Sequence, residues 1–135
     1  MIAGPDRTWH GAGMIGPAFA LAATLAVLTA SPLRASPVEV VAATATPGPK
    51  GWTITVTLRH ADSGWDHYAS GWEVLAPDGT RLGYRELSHP HVEEQPFTRS
   101  LSGIVIGGGV DYVLIRPRCT LDGWAASPTR LDLRR

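Results

Sequence analysis

Trp52-Thr53-Ile54-Thr55-Val56-Thr57-Leu58-Arg59 alternates bulky apolar and polar side chains without a break. Successive side chains of an extended strand point to opposite faces, so Trp52, Ile54, Val56 and Leu58 share one face and the threonines the other. One face is built for a core and one for water, which decides for an antiparallel sheet over a helix. Working outward, Val38 to Thr46 is a β-branched run. Trp72 and Val74 begin a short strand that stops at Pro77-Asp78-Gly79, a turn signal. Leu82 and Tyr84 alternate with Arg81, Gly83 and Arg85 on the return. Phe97 to Ile106 is a further strand, with a bulge expected at Ser102-Gly103. The glycines at 107 to 109 turn the chain into Val110 to Arg118, where Pro117 marks an end or an edge. Arg130 to Leu133 closes the chain. No segment after residue 36 carries a helical period. Seven short strands predict an all-β, seven-stranded, immunoglobulin-like or fibronectin-III-like antiparallel sandwich.

The N-terminus reads differently. Arg7 precedes an uncharged stretch from Gly11 to Leu33 whose core, Ala18 to Ala30, is rich in alanine and leucine. That core is shorter than the roughly 20 apolar residues of a membrane span. Small residues follow, so residues 1–35 are expected to be a signal peptide cleaved after Ala30 or Ala35, with an uncleaved inner-membrane anchor as the rival. Residues 36–135 are then one domain, periplasmic or secreted, with no membrane span after cleavage. One lysine against eleven arginines suggests a GC-rich bacterial genome.

From Ser36 onward 10 basic residues face 11 acidic ones, so no positive surplus exists to neutralise a phosphate backbone, and nucleic acid is not an expected partner. Cys119 is the single cysteine, so the core must hold the fold without an intrachain disulfide.

Strand order has a consequence for the loops. Connections between consecutive antiparallel strands alternate between the two ends of a sandwich. One end receives plain turns at 46–51, 77–79 and 107–109. The other receives the segments 60–70, 88–95 and 119–127. That end gathers His60, Asp62, Trp65, Asp66, His67, Tyr68, His89, His91, Glu93, Glu94, Cys119, Asp122 and Trp124. The placement holds only while Ser102-Gly103 leaves its strand whole.

Imidazole is a ready ligand for zinc and copper, and carboxylate or thiolate can complete a set. His60, His67, His89 and His91 are the first candidates, with Asp66 and Cys119 in reserve and zinc or copper as the cofactor. His89-Pro90-His91 is not a ready-made chelate, because a residue before proline favours polyproline geometry, which splays the pair. No spacing matches a defined zinc motif. A blue-copper order is missing too, since no histidine or methionine follows Cys119. The plainer alternative is that these histidines bond loop backbone and stack on Trp65 or Tyr68. A protein or glycan interaction module is the rival functional class, using Trp65, Tyr68, Trp124 and Arg99. No nucleophile elbow or other enzymatic signature appears. Arg99 shares parity with Phe97 and Leu101, so either its strand is irregular there or the guanidinium is part-buried and paired with Glu93, Glu94 or Asp66.

Two stretches, His60-Ala-Asp-Ser-Gly-Trp-Asp-His67-Tyr-Ala and His89-Pro-His91-Val-Glu-Glu-Gln-Pro-Phe-Thr-Arg-Ser-Leu101, resemble a group of small, uncharacterised exported proteins of proteobacteria. The resemblance covers about residues 52 to 118 and implies export but no activity. Members of that group often carry a further histidine near Asp122-Gly123-Trp124. Here that loop has Cys119 and no histidine, so if the group binds metal through all three loops, this member has either lost a ligand or replaced it with thiolate.

Overall fold

The computed structural model describes residues 37–135, together with the glycines at 4, 11, 13 and 16. Apart from those glycines, the expected signal peptide and both cleavage points lie outside the described residues. Two antiparallel sheets pack face to face. The first has the order β1 (Glu39–Thr46), β2 (Trp52–Arg59), β5 (Phe97–Ile104). The second has the order β4 (Arg81–Glu86), β3 (Ala69–Leu75), β6 (Tyr112–Cys119), with β7 (Gly123–Trp124) and β8 (Thr129–Asp132) both paired along the far side of β6. Among the described residues no helix is long and apolar enough to cross a membrane.

The alternating segment 52–59 is the centre of the first sheet. Ile54, Val56 and Leu58 are sealed in the core. On the outer face the hydroxyls of Thr53, Thr55 and Thr57 meet those of Ser102, Ser100 and Thr98 at 3.1, 2.8 and 2.8 Å. Such cross-strand pairs fix the register of a half-wet sheet. Facing them, Trp72, Val74, Val113 and Ile115 fill the other side of the core, and Phe97 closes its upper end. In β1 a bulge between Val40 and Ala42 changes which parity faces inward. Val40, Ala43 and Ala45 pack on the core and Val41 is left exposed.

Eight strands stand where seven were expected. The addition is β7, two residues that pair Arg118 with Trp124 and Cys119 with Gly123. A two-residue strand is too short to print a period in sequence. Together β7 and β8 make one interrupted edge, and Pro117 lies in the interruption: β8 pairs as far as Ile115 and β7 takes over at Arg118. The Pro117 carbonyl accepts Ala125 N–H at 2.9 Å, so the ring nitrogen faces the same gap and forfeits no ladder bond. Strand β6 therefore runs through its proline to Cys119.

The second sheet also buries a charge. Glu73, only 1% exposed, sits on the outer face of β3 and is bonded by Arg81 and Arg116 at 2.6 Å each. Trp124 lies beneath the Arg81, Arg116 and Arg118 guanidiniums, and Tyr84 packs edge-on against it. Gly71 makes this roof fit, because a Cβ there would lie 2.6 Å from the Tyr84 hydroxyl.

Strand β5 is bulged near its end, with Gly103 at φ +73°, but runs unbroken from Phe97 to Ile104. The loops therefore keep their ends, and the segments carrying His60–Tyr68, Leu87–Pro96 and Thr120–Asp122 meet at one pole.

Candidate metal centre

Three loops are tied to one another at that pole by main-chain and side-chain bonds. Thr120 N–H donates to the Tyr68 carbonyl (3.0 Å), and the Thr120 hydroxyl accepts Tyr68 N–H (3.1 Å). His60 N–H donates to Gln95 Oε1 (3.0 Å), whose Nε2 donates to the His91 carbonyl (2.9 Å). Within the first loop, His67 N–H donates to the Gly64 carbonyl and Ser63 N–H to the His67 carbonyl, a tight turn that needs Gly64 at φ +147°. That turn folds His67 back over His60, and the rings meet edge to face with centroids 4.7 Å apart.

Cys119, the last residue of β6, comes up from below. One ligand atom each from His60, His67 and Cys119 lies within 4.8 Å of the other two. A cation among them would sit at most about 2.8 Å from each, and contraction by about 0.5–0.8 Å reaches the ~2.0–2.3 Å of zinc–nitrogen and zinc–sulfur bonds. His60 and Cys119 are buried and His67 is half-buried. The Nε2 atoms of both histidines are buried and make no hydrogen bond. Buried polar nitrogens without partners are rare, and each calls for a reason. Leu121 N–H points at the sulfur (3.4 Å).

Asp62 organises the surroundings. Its Oδ1 accepts His60 Nδ1–H at 2.6 Å and Ala69 N–H at 3.0 Å, and its Oδ2 accepts His91 N–H at 2.8 Å. A carboxylate bonded to one ring nitrogen sets the tautomer and turns the other toward a metal, the usual support for a histidine ligand. Asp62 was visible only as a member of the polar pole. Its position two residues from His60 in extended chain is the signal that could have found it, because i and i+2 share a face.

The other candidates lie elsewhere. His89 is exposed, with Nδ1 3.1 Å from the Pro90 carbonyl. His91 is buried and stacks flat on Phe97, centroids 4.0 Å apart. Its Nε2 lies 3.0 Å from Arg99 Nη2, and since arginine only donates, Nε2 accepts and Nδ1 carries the proton. Burial lowers the His91 pKa below its ordinary 6.5, with the Arg99 charge and then His89 adding to the effect. Asp66 is exposed, and its backbone carbonyl, not its carboxylate, meets Thr120. Arg99 is part-buried and pairs with Glu94 at 3.3 Å, one of the partners anticipated for it. That bond lowers the Glu94 pKa. Trp65 is 68% exposed, edge-on to Tyr68. Trp124 belongs to the arginine-covered outer face rather than to the histidine cluster. Beside Cys119 a cavity of about 530 Å³ opens between Val38, Pro117, Trp124 and Ala125.

No family model matches the chain. No solved structure matches it. It is similar to a protein of Halomicrobium mukohataei described as "Putative lipoprotein", with 38% identity over 85 residues. The match covers 63% of this chain and 41% of that protein, so the chain spans well under half of its relative's length.

Proposed function

We propose that this domain binds a transition-metal ion through His60, His67 and Cys119. The observation that carries the reading is the convergence of a nitrogen from each of two histidines, both with a buried, unbonded Nε2, on a buried sulfur, with Asp62 bonded to the other nitrogen of His60. Imidazole and thiolate together exclude calcium and magnesium, which take oxygen ligands. Export to the cell envelope or beyond fits the apolar leader, and the relative's description as a lipoprotein supports it. Cys119, the one cysteine here, is buried at the end of β6 and is no place for a lipid.

Elemental analysis of protein exported and purified without a histidine tag tests this. The expected result is about one zinc or copper per chain and a melting temperature raised by about 10–20 °C by added metal, since a ligand at 100 times its Kd adds about 2.7 kcal/mol. Metal-free protein whose melting point ignores zinc and copper would sink the proposal.

A second reading is favoured by one observation. Trp65 and Leu121 are large, apolar and exposed, at 68% and 60%, and belong to the two loops that carry the cluster. Exposed aromatic and aliphatic side chains on loops suit a protein or glycan partner. Indifference to metal together with a partner lost on Trp65→Ala would select that reading.

A further inference from the structure

We infer that the cation this centre selects is monovalent copper, held by three ligands; the inference rests on the metal-binding proposal above. The donors are two imidazole nitrogens and one sulfur, and no carboxylate belongs to the group. Asp62 is not among the converging atoms and is already engaged by three donors, two on Oδ1 and one on Oδ2, which hold it as the partner of His60. A structural zinc takes four protein ligands, and a catalytic zinc takes three and keeps an open position for water. Here both Nε2 atoms are buried without a partner and Cys119 is 2% exposed, so the donors themselves are shielded from solvent. A closed set of three with a soft thiolate suits Cu(I), which is satisfied by three-coordination and prefers sulfur.

Two further observations agree. Copper readily drives thiols to disulfides, yet this chain has one cysteine and buries it, so no intrachain disulfide can form and contact with a second chain's thiol is blocked. The sulfur is also seated in the apolar core cluster with Val38 and Ala69, beside a cavity walled by Pro117, Trp124 and Ala125. Those surroundings favour the pairing of thiolate with a singly charged ion, which is neutral, over the pairing with a doubly charged one.

The test is competition between Cu(I) and Zn(II) for the full exported protein, without oxygen and with a chromogenic chelator for each ion, followed by X-ray absorption at the bound metal. The expected result is one Cu(I) per chain in the presence of equimolar Zn(II), with two nitrogens and one sulfur as neighbours. Cys119→Ser is expected to weaken Cu(I) by more than about 100-fold, beyond the 10–100-fold that loss of a supporting contact brings. If that variant does not fold, the half-buried His67→Ala replaces it, with His89→Ala as the unaffected control. Zn(II) retained against Cu(I), or a tetrahedral four-ligand spectrum, overturns the choice of copper while leaving a metal site. Retention of neither ion overturns both.

Discussion

Two histidine pairs occupy the same pole and have opposite fates. His60 and His67 each carry an unbonded, buried Nε2, and a nitrogen of each ring lies within 4.8 Å of the Cys119 sulfur. His89 and His91 lie just as close to each other, with ring centroids 4.5 Å apart, but the acceptor nitrogen of His91 is taken and His89 faces solvent. A carbonyl holds His89 Nδ1, Arg99 meets His91 Nε2, and the His91 ring face lies on Phe97. The buried Nδ1 of His91 has no partner either, yet it carries hydrogen and so is a donor, not a ligand. Nearness of imidazoles therefore does not make a metal site. What separates the pairs is that Asp62 leaves the buried His60 Nε2 free whereas Arg99 takes the lone pair of His91 Nε2.

The largest expected effect breaks this contrast outright. His60→Ala or His67→Ala should abolish stabilisation by metal, with affinity falling more than about 100-fold, whereas His89→Ala should leave it unchanged. Isothermal titration of the four single His→Ala variants reads both halves at once. Equal losses in both pairs would mean that the pole closes around the ion with all four rings, contrary to the geometry.

Asp62 is next, because it joins the two pairs: it bonds the His60 ring and the His91 main chain. Asp62→Ala leaves three buried N–H groups without acceptors and should cost about 3–5 kcal/mol in chemical denaturation of the metal-free protein. Asp62→Asn keeps shape but weakens the orientation of His60, and metal affinity should fall about 10–100-fold. Loss of stability without loss of affinity in the asparagine variant would show Asp62 to be a loop brace alone.

The sandwich was legible because its central strand, 52–59, alternates strictly and because turns such as Pro77-Asp78-Gly79 carry their own chemistry. Loop placement followed from strand parity, which survived the bulge at Gly103. What stayed hidden depended on local bonds. Nothing in the spacing of four histidines shows which two share a carboxylate partner, and Cys119 is 52 positions beyond His67 in the chain. Strand β7 is too brief to alternate. Buried Glu73 was invisible for a different reason: the Arg81, Arg116 and Trp124 that cover it come from three other strands.

A smaller effect follows from the depressed His91 pKa. A histidine that folding makes harder to protonate binds fewer protons in the native than in the unfolded state, so stability is full above the ordinary value near 6.5 and falls as pH drops below it. The fall ends once pH is under the folded value. Denaturation of the metal-free protein between about pH 7.5 and about pH 5.5 should show this slope, and His91→Gln, which keeps the main-chain bond to Asp62, should flatten it. An unchanged slope would move the effect to other groups.

The smallest effect concerns the ion pair that occupies the second region. Arg99 bonds Glu94 at 3.3 Å, but the carboxylate is 58% exposed, where water and salt screen the attraction. A double-mutant cycle with Arg99→Gln and Glu94→Gln should therefore give coupling near the limit of detection at neutral pH. Because the bond holds Glu94 below its ordinary 4.5, the coupling should be present above that value and vanish as pH falls through the lower, folded one. Strong coupling would instead mean that Arg99 is fastened chiefly by Glu94. Weak coupling leaves its other contacts, the Thr98 carbonyl at 2.7 Å and His91 Nε2, as what holds the guanidinium against the ring. In that case His91 is kept from acting as a ligand by Arg99 itself, and Arg99→Gln alone should open His91 Nε2 to metal where Glu94→Gln does not.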